Sequence, residues 1–119
     1  MSINEAYRQA EVAAEVEEAA RTLAHSTRAV PNPADSYDML GEMARTTDHL
    51  EQVAQQLARW HASAFEDGRI HPDSEVHAAR ANTHLAAEAL TRAAEALGSA
   101  AAELRAAHSA NGAVRWAVP

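Results

Sequence analysis

The last third of the chain carries two parallel rows of side chains, each with a repeat of seven residues. Positions seven apart lie on one side of an α-helix, because the helix has about 3.6 residues per turn. One row is larger and mostly leucine, and the row three positions later is entirely alanine, which lets another helix approach closely. The pattern predicts one continuous helix from about residue 74 to 110, unbroken at Gly98. The rows are Val76, Thr83, Leu90, Leu97 and Leu104, and Ala79, Ala86, Ala93, Ala100 and Ala107.

Two earlier segments also have helical periodicity. The segment after Pro33 places apolar residues in steps of three and four as far as Ala64, and Gly68 is suited to end it. The first segment, Ile3 to Ala29, consists of good helix formers and stops before Pro31, which cannot continue a helix. The stripe of the second helix is Met39, Met43, Thr46, Leu50, Val53, Leu57, Trp60 and Ala64.

Three helices of similar length predict an all-α fold, a bundle of three long antiparallel helices running up, down and up. Residues 1–112 would form one bundle domain, and residues 113–119 would be a C-terminal tail. Large apolar side chains are few, so the core is expected to be thin. The flanking alanines Ala87, Ala94 and Ala101 widen the smooth side of the third helix, and a second copy could cover it. The sequence therefore predicts a homodimer.

Charge and composition exclude several classes of function. The net charge is −7 with ten arginine and lysine residues in total, all of them arginine, so the surface repels phosphate backbones and anionic membranes. The chain has no cysteine, which excludes disulfides, thiolate metal sites and cysteine nucleophiles. The N-terminus lacks the features of a signal peptide, and no apolar stretch has the length of a membrane span. We expect a cytoplasmic protein that binds neither nucleic acid directly nor a membrane.

Catalytic and metal-binding motifs are missing from the sequence. The seven histidines include no His-Glu-x-x-His and no helical Glu-x-x-His, and His77 and His84 lie two helical turns apart. Neighbouring carboxylates such as Glu17 and Glu18 do not face each other on a helix. No Gly-x-Ser-x-Gly elbow and no phosphate-binding loop occurs. We expect no enzymatic activity, no cofactor and no metal site.

One end of the predicted bundle combines aromatic and histidine side chains. The start of the first helix, the end of the second and the start of the third would meet there, as a ligand pocket, a partner-binding patch or an apolar plug. Tryptophan often dominates binding interfaces, so Trp60 and the tail residue Trp116 are further candidates. The residues that would gather at this end are Tyr7, Trp60, His61, Phe65, Ile70, His71, Asp73 and His77. The candidates for partner binding are Trp60, Phe65, His71, His77 and Trp116.

These features favour a non-enzymatic helical interaction protein, an adaptor, assembly factor or regulator that acts through helix faces and self-association. The alternative is a helical bundle that binds a small ligand or a metal at its aromatic and histidine end. A third hypothesis is an acidic regulator or antitoxin-like neutralising protein. It is weakened because the seven carboxylates from Asp35 to Asp67 scatter around the second helix rather than forming a row.

Overall fold

The computed structural model describes residues 5–119, and within them the chain is all-α, as the sequence predicts. Three helices follow one another: α1 (Gln9–Ser26), α2 (Asp35–Ala64) and α3 (Val76–Asn111). Residues 5–119 contain no β-strand. In the same part of the chain, no helix combines the length and the apolar character needed to cross a lipid bilayer.

Helix α1 begins later than the sequence predicts. The predicted start at Ile3 lies outside the described residues, but residues 5–8 are described and are not helical. Arg8 precedes the helix, and its guanidinium forms ion pairs with Glu5, Glu11 and Glu15 at 3.0–3.1 Å. The hydrogen bond to Glu11, followed by those interactions with Glu5 and Glu15, raises the pKa of Arg8 above its usual value.

The ends of α2 and α3 follow the predicted signals. Asn32 precedes α2, and its side-chain amide donates to Asp35 at 3.2 Å. Gly68 follows α2 with a φ of 72°, the left-handed conformation that glycine adopts without strain. Glu75 caps α3, because its carboxylate accepts from the backbone N–H groups of His77 and Ala78. Helix α3 then continues through position 98 without interruption, as predicted.

The chain divides into two compact units. One unit reaches from the N-terminal segment to Asp35 and includes Trp116–Pro119, and the other comprises Ser36–Arg115. Helix α1 belongs to the first unit and has no buried residue. The second unit contains nearly all of α2, the connection to α3, and α3 itself.

Helices α2 and α3 pack against each other as an antiparallel hairpin. At the open end of the hairpin, the Asn111 amide donates to the Ser36 hydroxyl at 2.9 Å. Further along, Arg105 Nη1 donates to both carboxylate oxygens of Asp48, each at 2.9 Å. At the closed end, the Arg80 guanidinium lies 4.4 Å from the centroid of the Phe65 ring. Because residue numbers fall along α3 as they rise along α2, these contacts fix the antiparallel register.

The seam between α2 and α3, meaning the line along which the two helices touch, consists of very small residues. The buried hydrophobic residues of the described chain are all alanines, and the buried Gly41 joins them in α2. Large side chains would hold the two backbones apart, whereas alanine and glycine let them approach and make dispersion contacts along their length. The seam residues are Gly41, Ala44, Ala54, Ala58 and Ala64 of α2, and Ala87, Ala94 and Ala101 of α3.

The seam differs from the rows that the sequence pattern marked as the core. Ala87, Ala94 and Ala101, which were expected to remain for a second copy, are the buried residues of α3. Ala93 and Ala100, from the expected core row, are exposed. The physical reason is that two closely packed helices leave no room for large side chains on the line where they touch. The rows that meet on this line are therefore those with small residues on both helices.

Candidate functional site

Most large apolar side chains of the hairpin lie together on one of its two broad sides; Leu85, 60% exposed, is not among them. In α2, Met43 and Leu57 come one residue before Ala44 and Ala58 of the seam, which places them about 100° around the helix from it. In α3, the alanine row that includes Ala93 comes one residue before the seam alanines, an equal rotation. Because the helices run in opposite directions, the same rotation brings both rows to the same side of the hairpin.

We call this side the apolar face, and it is free of charge. Every Asp, Glu and Arg of α2 and α3 lies outside its rows. Five large α2 side chains of the face remain well exposed, from 38% for Leu50 to 51% for Trp60, and Met39 is half-buried. The face comprises Met39, Met43, Thr46, Leu50, Val53, Leu57 and Trp60 of α2, and Ala86, Leu90, Ala93, Leu97, Ala100, Leu104 and Ala107 of α3. Large exposed apolar patches bordered by polar residues are typical of protein interaction sites.

A second feature is a cleft of about 550 Å³ at the closed end of the hairpin. Phe65 and Arg80 form its wall through their cation–π contact, and Glu66 adds a negative charge. His77 and His84, which lie two turns apart in α3, also line it. The cleft is open to solvent and combines an aromatic ring, a guanidinium, a carboxylate and two imidazoles. The lining residues are Ala62, Phe65, Glu66, His77, Arg80, Ala81, Thr83 and His84.

The five predicted partner-binding residues are distributed over these features and the tail. Phe65 and His77 line the cleft together. Trp60 lies on the apolar face, with its ring edge-on to His61 at a centroid distance of 4.9 Å. His71 is exposed in the connection between α2 and α3, where its Nδ1 accepts from the backbone N–H of Asp73. Trp116 is 43% exposed and belongs to the unit that contains α1.

Sequence analysis did not identify Arg80 and His84 as neighbours of Phe65. The usable signal was the antiparallel connection, because residues close to its two ends come near each other, as Phe65 and Arg80 do. Within residues 5–119, no three His, Cys, Asp or Glu side chains come together in a way that could hold a metal ion. The Nε2 atom of His84 lies 3.8 Å from a carboxylate oxygen of Glu88.

Comparisons with protein-family models, with curated proteins and with solved structures find no significant match to this chain. What the fold defines is therefore a structural class. Residues 5–119 are all-α and contain an antiparallel helical hairpin with an alanine-lined seam and an uncharged apolar face.

Proposed function

We propose that this chain is a non-enzymatic interaction protein, an adaptor, assembly factor or regulator that acts through the apolar face of its α2–α3 hairpin and through self-association. The observation that carries the proposal is the combination of exposure and absence of charge on that face. Leu50 and Leu57 are 38% and 43% exposed, and covering such side chains by a partner removes apolar surface from water. No ion has to be desolvated when the face is covered, since the charged side chains lie elsewhere.

The test is a pair of doubly substituted proteins with the same change in charge. Leu50→Glu with Leu57→Glu places two carboxylates on the apolar face, and Gln52→Glu with Gln56→Glu places two on the exposed opposite side of α2. Burying charge costs at least about 2 kcal/mol, so the face variant should raise the dissociation constant of any assembly about 30-fold or more. The control variant should leave it nearly unchanged.

Self-association is measured by sedimentation over a range of concentrations, and binding of other proteins by cross-linking in cells followed by purification. Circular dichroism checks that both variants keep their helices. If the face variant retains every association of the original chain, the apolar face is not the interaction surface and the proposal fails.

A second candidate function, binding of a small ligand, is supported by the cleft beside Phe65 and Arg80. Native mass spectrometry of the purified chain would detect such a ligand, and Phe65→Ala should abolish its retention by removing the ring beneath the guanidinium. Metal binding lacks comparable support, because no ligand cluster forms in the described part of the chain. The hypothesis of an acidic regulator or antitoxin-like protein is weakened further, since Asp48 is paired with Arg105 and Glu42 with Arg45.

A further inference from the structure

The cleft at the closed end of the hairpin has the size of a small-molecule site. Its volume of about 550 Å³ lies within the roughly 300–1,000 Å³ that such sites occupy. Ala62 of α2 and Ala81 of α3 line it with only a methyl group each, which leaves room beside the larger side chains. Both walls belong to one compact unit, so the antiparallel packing of the hairpin fixes their positions relative to each other.

The positive charge of the cleft has an aromatic partner and no anionic one. The Arg80 guanidinium lies 4.4 Å from the centroid of the Phe65 ring, a distance at which the ring attracts a cation. Within residues 5–119 this guanidinium forms no ion pair and no hydrogen bond, whereas Arg45 and Arg105 of the same hairpin are paired with carboxylates. A cation–π contact does not require an N–H group to be donated to an oxygen atom. The donors of Arg80 therefore remain available to a molecule in the cleft.

A carboxylate lines the same cleft without pairing with this guanidinium. Glu66 follows Phe65 directly in the chain and contributes to the lining. In the part of the chain that the structure describes, the Glu66 carboxylate makes no ion pair with Arg80 or with any other side chain. Two opposite charges thus border one cleft separately, together with an aromatic ring and two alanine methyl groups.

This charge pattern favours one class of ligand. A purely anionic molecule would be attracted by Arg80 and repelled by Glu66, and a purely cationic molecule would meet the reverse. A molecule that carries both charges gains a favourable contact with each side chain. His77 and His84 add ring nitrogens that can donate or accept a hydrogen bond. The ring of Phe65 and the alanine methyl groups provide a contact surface for an apolar group.

We propose that the cleft binds a small zwitterion with the charge pattern of a free α-amino acid that has an apolar side chain. The ligand carboxylate accepts hydrogen bonds from Arg80, and the ligand ammonium group donates to Glu66. The apolar side chain of the ligand lies against Phe65, Ala62 and Ala81. This inference rests on the second candidate function above, for which it names the ligand class, and it does not involve the apolar face.

The test is a titration of the full-length, ¹⁵N-labelled chain with free phenylalanine, followed by NMR. The backbone amide signals of residues 62–66 and 77–84, which include the lining of the cleft, should shift in a saturable way. N-acetylphenylalanine lacks the positive charge and phenylalanine amide lacks the negative charge, so each should bind about tenfold more weakly. If either derivative binds as tightly as phenylalanine, the ligand class is not a zwitterion and the proposal is wrong.

Three single substitutions connect this binding to the cleft. Arg80→Gln and Glu66→Gln each remove one charge and should weaken phenylalanine binding about tenfold. Arg92→Gln removes a charge from an exposed position of α3 outside the lining and should leave the affinity unchanged.

Two outcomes of the titrations would overturn the proposed site. One is the absence of saturable shifts in the original chain, and the other is an equal affinity of all three variants. Native mass spectrometry would still judge the binding of other small ligands, and the charge-matched glutamate variants would still judge the apolar face. A failure of the zwitterion proposal is therefore distinguishable from a failure of either proposed function.

Discussion

The seam and the apolar face of the hairpin use the same two helices in opposite ways. Along the seam, Ala94 and Ala101 are 4% and 0% exposed, and each contributes only a methyl group. About 100° around α2 from the seam, Leu50 and Leu57 are 38% and 43% exposed, although their side chains are much larger than a methyl group. The most apolar residues of the hairpin are therefore not its best-buried residues.

This contrast shows that the short distance between the two helices, and not hydrophobicity alone, decides which side chains a pair of helices buries. Two cylinders touch along a line, and only small residues fit on that line when the backbones are near each other. Larger side chains lie to either side of this contact line, where only a further element of structure could cover them. The hairpin thus buries the side chains of its seam but leaves those of its apolar face partly exposed. The following predictions test this difference in order of decreasing effect.

Overfilling the seam should have the largest effect on folding. Ala101→Leu adds three carbon atoms where the side chain is fully buried, and should lower the free energy of unfolding by about 3 kcal/mol. Ala106→Leu, at an exposed position of the same helix, should change it by less than about 0.5 kcal/mol. Urea denaturation followed by circular dichroism measures both. Equal effects would contradict an alanine-lined seam.

Truncating the face should affect folding less and association more. Leu57→Ala removes a side chain that is 43% exposed, so the expected loss in unfolding free energy is about 1 kcal/mol, below the 2–5 kcal/mol of a buried leucine. Self-association should weaken about tenfold, because the same side chain would become buried in the interface. A loss of 3 kcal/mol or more in the isolated chain would mean that the face is already covered.

The ion pair across the seam should contribute only slightly to the free energy of unfolding. Asp48 and Arg105 are about half exposed, so a double-mutant cycle of Asp48→Asn and Arg105→Gln should give a coupling of about 0.5 kcal/mol. Salt at about 1 M should remove most of it, because exposed charges are screened. A coupling that persists in high salt would show that the pair is shielded from solvent.

Replacing the two glycines at or beside the seam, Gly41 and Gly98, should change the free energy of unfolding least. Gly98→Ala gains helix propensity, and the new methyl group meets only the mobile carboxylate end of Glu51, so unfolding should become about 0.5 kcal/mol less favourable. Gly41→Ala should gain less, because it meets the His108 ring, which is stacked on Tyr37 at 4.1 Å. Thermal unfolding of the two variants compares them directly. A larger gain at position 41 would indicate that the ring moves freely.

Some of the candidate site could be predicted from sequence. Phe65 and His77 were placed at one end of the helices from the order of segments alone, and they do line one cleft. Arg80 was missed because its guanidinium reaches Phe65 only in the actual register of the hairpin. The predicted start of α1 was too early, because residues 5–8 are not helical although they include good helix formers.

The sequence by itself determined three helices, the sites where α2 ends and α3 begins, and the continuity of α3, because these depend on prolines, on Gly68 and on local periodicity. It also determined which residues share a side of each helix, since that follows from the helical repeat. Only the tertiary structure decided which side is buried. Two neighbouring rows of α3 both have alanines, and the row with Ala94 is selected because it faces small residues of α2 at the distance where the backbones pack most closely.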